Sequence, residues 1–188
     1  MAVNNQVAEQ SHKAAFRLRS ARSEEVGAIQ AVARESWEAT YSGIILPEIQ
    51  ASFIAEVYSP QSLNHSINRE GQDHWFRVAE EISANCAIIG FAEVHLRLAI
   101  APDAELARIY VRPGYQKKGV GKALLEALIE ELRALRSGLR PPRLRLSVAA
   151  ENHQAIAFYE QRGFQYVNDF EANLPGQTLA LQEFVLEI

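Results

Sequence analysis

Gln116 is followed without a break by Lys117, Lys118, Gly119, Val120, Gly121 and Lys122, and these residue types at the start of a helix suit the capture of an anion. The first backbone N–H groups of a helix have no intrahelical partner, and the helix dipole adds partial positive charge at the same end. Phosphate oxygens satisfy both. Gly119 and Gly121 carry no Cβ to shield the backbone and tolerate positive φ, and the three lysines add charge beside them. The expected ligand is multiply anionic.

Spacing narrows the choice. Gly114 and Gly119 stand as G-x-x-x-x-G, but Val120-Gly121 follows where a nucleoside-triphosphate loop needs Lys and Ser or Thr. Gly119-Val120-Gly121 begins like a dinucleotide fingerprint, yet Leu124 takes the third glycine position and no acidic ribose partner follows at a convincing place. Neither reading holds.

The elements that must position this turn are legible on both sides of it. Glu105 to Val111 is rich in β-branched and aromatic residues and is stopped by Pro113-Gly114, which predicts a strand. After the turn, Val120, Ala123, Leu124, Ala127, Leu128, Leu132 and Leu135 recur at helical spacing and predict the buried face of a long helix. Alternation along the strand is expected to put Glu105, Ala107, Ile109 and Val111 on one face and Leu106, Arg108 and Tyr110 on the other. Downstream, Asn152 starts a second helix, which runs through Ala155, Phe158 and Tyr159 to a glycine cap at Gly163 before Phe164.

Gln116-x-x-Gly119-x-Gly121, with the strand before it and N-x-x-A-x-x-F-Y-x-x-x-G-F from Asn152 to Phe164, resembles the GNAT superfamily of acyl-CoA-dependent N-acyltransferases. The likeness covers roughly Arg17 to Glu187. It implies acetyl-CoA as donor, CoA as product and an amine-bearing acceptor. By this resemblance Gln116, Lys117, Lys118, Gly119, Val120, Gly121 and Lys122 hold the pyrophosphate. The backbone of Ile109 and Val111 pairs with the pantetheine arm, Tyr110 between them counts among the cofactor-binding residues, the Ile109 N–H polarises the acetyl carbonyl, and Asn152 bonds the pantetheine amides. Glu105 falls at the family's acceptor-side base and Tyr159 at the tyrosine beside the CoA sulfur. Glu93, on the neighbouring strand, is the fallback base, and Trp37 and Tyr41 are candidate walls of the acceptor pocket.

Each assignment has a plainer alternative. Glu105 can be a solvated strand residue or a salt-bridge partner, Tyr159 a core aromatic beside Phe158, Asn152 a helix cap, and Trp37 and Tyr41 core packing. The chemistry nonetheless asks for a base. An alkylammonium titrates at about 10.4, so freeing the amine at pH 7 costs roughly 4.6 kcal/mol. A phenol that stays protonated at pH 7 can return a proton to a leaving thiolate. The rival from another class is a CoA-binding sensor or scaffold without catalysis.

Composition sets the remaining bounds. The 188 residues carry a formal net charge of -4, are 48% hydrophobic and contain one cysteine, Cys86. This argues against nucleic acid or membrane as partner and suits a cationic amine. Cys86 lies in the apolar run from Ala84 to Phe91 and is expected to be an inert core thiol. His65 and His74 show no ligand spacing to another His or Cys, so no metal is expected. With no secretory or membrane-spanning pattern, the expected location is the cytoplasm. Oligomeric state is left open, a homodimer included.

The domain organisation expected is a flexible tail over 1–15 and one N-acetyltransferase domain over 16–188. A short strand at Phe16–Arg19, a helix opened by Ser23, a broken helix over 41–64, and two adjacent strands over 75–79 and 87–96 lead into the central strand. Strands over 144–148 and 178–186 complete the chain. The fold class is α/β in the α+β sense, a curved and mostly antiparallel mixed sheet flanked by helices. It is expected to splay between the strands that hold Glu105 and Leu144.

Overall fold

The computed structural model describes residues 15–82, 85–97, 103–135 and 141–188. All but the last residue of the expected tail lies outside that range. β1 (Phe16–Ser20) leads through a 3-10 turn at Ser23–Glu25 into α1 (Val26–Tyr41). Glu25 closes this start by accepting from the Arg22 backbone N–H at 2.9 Å. α1 buries Val26, Ile29, Val32 and Ala33, the face their spacing predicts, and Trp37 one turn on.

The broken helix expected over 41–64 is in fact two helices, α2 (Pro47–Val57) and α3 (Pro60–Asn68). Each starts at its proline, where the missing N–H would have had no partner, so the prolines open helices here instead of interrupting one. The hairpin of β2 (His74–Glu81) and β3 (Ile88–Leu96) follows. Cys86 sits in the connection, exposed and at φ 45°, and is not a core thiol. Burial begins only at Ile88, because the strand starts after the turn and not with the apolar run.

β4 (Ala104–Val111), α4 (Val120–Arg133), β5 (Arg143–Ala149), α5 (His153–Glu160), β6 (Gln165–Leu174) and β7 (Gln177–Glu187) complete the chain. The sheet order is β1-β2-β3-β4-β5-β7-β6, antiparallel throughout except for the pair β4 and β5. β6 escapes the sequence reading because it is an edge strand with little burial; Tyr166, Val167 and Phe170 are all exposed. α4 also turns slightly from expectation: Leu125 and Ile129 are buried, while Ala123 and Ala127 are half-buried.

Two cores sandwich the sheet. On one side Leu124, Leu125, Leu128 and Leu132 of α4 pack with Ala92, Val94, Leu144, Leu146 and Phe184. On the other, Ile29, Val32 and Trp37 of α1 and Leu63 of α3 cover Phe76, Val78 and Phe91. No helix among the described residues is long and apolar enough to cross a membrane.

The sheet's weak seam is between β4 and β5, where only Ala104 with Leu144 and Glu105 with Arg145 are paired before the strands diverge. Asp103, fully buried, closes that end. Its Oδ1 accepts from Arg143 Nε at 3.1 Å and its Oδ2 from Arg145 Nε at 2.6 Å. Burial acts to raise the Asp103 pKa, but the bonds from Arg145 and Arg143 outweigh it and hold the carboxyl below its ordinary value. A depressed carboxyl stabilises the fold above its unfolded pKa, and this stabilisation fades as pH falls through the folded value. Asp103→Asn should therefore cost about 2 kcal/mol in urea denaturation at pH 7, with part of the effect moderated by the solvent reach of both arginines. The deficit should shrink below about pH 4, where the unfolded chain binds a proton that the folded carboxyl still resists. Equal deficits at pH 7 and pH 3.5 would show that the clamp is not electrostatic.

Candidate active site

The divergence of β4 from β5 opens a cleft of about 120 Å³. Its walls include Ser36, Thr40 and Tyr41 of α1, residues 106–111 of β4, Gln116, Ser147 and Val148 of β5, Asn152 and Tyr159. The β4 edge facing β5 has no strand partner beyond Glu105, so along its middle an extended ligand can pair with the backbone. An added strand is the natural occupant of such an edge.

β4 does not alternate simply. Glu93 pairs with Arg108 and Val94 with Leu106, so Ala107 is an extra residue without an opposite number. This bulge overturns the expected sharing of faces, since one inserted residue reverses the parity beyond it. Leu106, Ile109 and Val111 pack toward α4 and α5, whereas Tyr110 packs with the α1 side, and Arg108 lies over the Tyr58 ring at 5.1 Å. Glu105 pairs across the strands with His95, and Ala107 itself is exposed. Glu105 therefore does not share a face with Ile109 and Val111.

At the far end of the cleft, Gly119 caps α4 with φ 88°, a conformation that side chains resist, and a Cβ built there would meet nothing within 4 Å. The opening amides of α4 are thus reachable. Gly121 is helical and needs no positive φ; a Cβ there would meet Phe158 at 3.5 Å, an ordinary contact between α4 and α5. Lys117 takes the other left-handed conformation of the turn, with φ 59°. Lys118 lies over the Tyr115 ring at 5.3 Å, and Lys122 is 3.7 Å from Glu126 on the exposed surface. Gln116 is turned inward and donates to the Val111 carbonyl at 3.2 Å, as does the Ser36 hydroxyl.

Asn152 caps α5, its Oδ1 accepting from the Ala155 N–H at 3.1 Å. Its side chain also bonds the Tyr41 hydroxyl, and both residues line the cleft. Tyr159 lines the cleft and is also core, edge-on to Phe158 and Phe164. Burial, with a smaller contribution from Tyr41, pushes its phenol far above the ordinary value. Burial does the same to Tyr41, reinforced by Tyr110. Both stay protonated well beyond neutral pH.

The carboxylates and Trp37 stand apart from the cleft lining. Trp37 stacks on Phe53 at 4.5 Å within the α1–α3 core, and its indole nitrogen has no hydrogen-bond partner. Glu105 is about one-third exposed, 3.3 Å from Arg97 Nε and 3.6 Å from His95 Nε2. Its contact with His95 holds its carboxyl below the ordinary range, against the opposing effect of burial. Glu93 is buried and ion-paired with Arg108, whose Nε is 2.6 Å from Oε2, off the line of a good hydrogen bond. Sequence reasoning missed Ser36, Thr40 and Ser147, which only the meeting of α1 and β5 brings to the cleft.

The cleft fits a slender arm ending in a diphosphate. It offers an unpaired strand edge, a side-chain amide and a tyrosine hydroxyl, then an uncovered helix mouth among lysines.

Comparison with known proteins agrees with this shape. The model of the acetyltransferase (GNAT) family matches residues 30–164. A spermidine N(1)-acetyltransferase of Thermoplasma acidophilum is 37% identical over 134 residues, 71% of this chain and 78% of that protein. An Escherichia coli alanine N-acetyltransferase of ribosomal protein bS18 is 39% identical over 84 residues, 45% of this chain and about half, 52%, of that protein. Among solved structures, a PaiA N-acetyltransferase of Thermoplasma acidophilum in complex with coenzyme A superposes with a TM-score of 0.73 at 32% identity. It covers 89% of this chain and 98% of its own.

The Glu93–Arg108 pair offers a test of how the site is held. Arg108→Met should lower stability by about 3 kcal/mol, because it strands a buried carboxylate, and Glu93→Gln in that background should recover at least about 1 kcal/mol. Urea denaturation of the two single variants and the double variant measures the coupling; strictly additive losses would mean that the pair contributes nothing as a pair.

Proposed function

The chain belongs to the acetyltransferase (GNAT) family and is an N-acetyltransferase that uses acetyl-CoA, and we propose that its acceptor is a primary amine of the polyamine class, acetylated by direct attack. The observation that carries the reading of the site is the parting of β4 from β5 beside the open mouth of α4. The polyamine class is supported by the spermidine relative, whose likeness spans 71% of this chain, and by the net negative charge. Direct attack is supported by the position of Cys86 in the β2–β3 connection, away from the residues that line the cleft.

Bound acetyl-CoA supplies an acetyl group on a thioester. The residues of the chain divide the remaining work. Backbone amides from Lys118 to Gly121, with Lys117, Lys118 and Lys122, hold the diphosphate, and Gln116 braces the turn against Val111. Ile109, Tyr110 and Val111 offer backbone groups along the cleft, and the Ile109 N–H is the fixed donor for the acyl oxygen. The Asn152 amide nitrogen donates to the arm. On the acceptor side, Glu105 takes a proton from the incoming ammonium through water, and Tyr159 Oη gives a proton to the departing sulfur. Glu93, held by Arg108, shapes the wall behind Glu105.

A spectrophotometric assay of CoA thiol release with spermidine, spermine and an alanine-ended peptide tests this. The expected order is polyamine above peptide. Glu105→Gln should lower kcat by about 100-fold and Tyr159→Phe by about 10-fold or more, with little change in acetyl-CoA affinity. Acetyl-CoA that binds by calorimetry but yields no thiol with any amine would instead make the protein a binding module.

The pH profile is a separate expectation. With the Glu105 carboxyl held low and the Tyr159 phenol held high, neither should titrate between pH 6 and 9. kcat/KM for the amine should rise over that range toward the amine's own value of about 10. A falling limb near pH 8 that vanishes in Tyr159→Phe would contradict the assigned state of the phenol.

A further inference from the structure

We propose that His74, Glu93 and His95 form a binding site for a divalent transition metal of the zinc class. The three are scattered in sequence, and only strand register unites them. His74 of β2 stands opposite His95 of β3, and Glu93 lies two residues before His95 on the same face. One ligand atom from each falls within 4.8 Å of the other two, the one such cluster found among the described residues.

The distances suit a metal with little rearrangement. Zinc-type ions sit roughly 2.0–2.2 Å from nitrogen and oxygen ligands, which places ligand atoms roughly 3.3–3.6 Å apart in a tetrahedron. His74 Nε2 is already 3.9 Å from Glu93 Oε1, and the two imidazoles stack with centroids 5.3 Å apart. A small rotation of the histidine rings closes the set.

The surroundings also select the ligand atoms. His74 Nδ1 is 2.8 Å from Asp73 Oδ1 and 3.4 Å from Arg69 Nε; the shorter contact favours the tautomer with the proton on Nδ1, which leaves Nε2 for the cluster. Asp73 is itself held by Arg69. Arg108 takes Oε2 of Glu93 and leaves Oε1 for the ion. Glu105 Oε2, which Arg97 also contacts, lies 3.6 Å from His95 Nε2, so a fourth ligand is a water or this carboxylate. Both histidines reach solvent while Glu93 does not, which gives an ion a route in and a fixed anionic anchor at the base. Two nitrogens and one carboxylate favour zinc-class ions over magnesium or calcium.

The inference rests on these side chains and not on the acetyl-transfer reading, and its test needs no acetyl-CoA. Chelator-treated, tag-free protein is titrated with ZnCl2 by calorimetry and with CoCl2 by visible absorption. The expected result is one ion per chain, with cobalt bands of a four-coordinate site. His95→Ala and His74→Gln should each weaken binding at least 100-fold, and Asp73→Asn, acting through His74, about 10-fold. Metal-free thermal melts of each variant establish that it is folded, and His74→Gln carries the test if His95→Ala is not. Absence of binding up to millimolar ZnCl2, or equal binding by the parent and a folded His74 variant, would overturn the site and leave a hydrogen-bonded histidine cluster.

Discussion

The architecture depends on a sheet that is held shut at one end and allowed to part at the other. Two strand pairings and the Asp103 clamp join β4 to β5, and beyond them β4 has a strand partner on one side only. An unpaired strand edge inside a fold is costly unless something satisfies it. Here the opening runs toward the mouth of α4, where another set of backbone donors lacks partners. Both deficits lie along one line, so a single extended and anionic molecule can satisfy both, which neither a free phosphate nor a peptide alone would do.

The bulge at Ala107 turns this opening into a site with two sides. Without it, Glu105 and Ile109 would face the same way, and acid and base groups would crowd one wall. The inserted residue sends Glu105, Arg108 and Tyr110 toward the α1–α3 side and Ile109 and Val111 toward α4 and α5. Tyr159 lines the cleft from α5, while Glu105 stands on the opposite face of β4 beside His95. Ala107, the inserted residue, is small, exposed and part of the cleft lining.

Much of this was legible in the residues because it is local. The strand from Glu105, the turn at Gly119, the helix after it and the Asn152 cap all announce themselves through periodicity and capping within a few residues. What escaped is what pairing between distant segments creates. Ala107 carries no mark of a bulge, since the extra residue is defined only by what β3 sets opposite it. His74 and His95 look unrelated until β2 and β3 align, and Ser36 and Ser147 meet across a cleft that neither segment encodes alone. β6 was missed for the opposite reason: its side chains are mostly solvated, so it lacks the buried alternation that marks a strand. Cys86 misled because an apolar run extended the expected strand backwards across the turn.

The electrostatics of Glu105 constrain how a proton can leave the amine. A carboxyl held below about 4.5 and an alkylammonium near 10.4 differ by at least about 6 pH units, so a full transfer between them in water would be uphill by about 8 kcal/mol. In the proposed reaction Glu105 can therefore act only as a step on a path, stabilising a water that carries the charge for an instant, with the ammonium destabilised by entering the cleft. His95, 3.6 Å from Glu105, and His74, stacked on His95, continue that path toward solvent. An ion held by the same two imidazoles would block that passage, so metal binding and proton release draw on one pair of side chains and exclude each other.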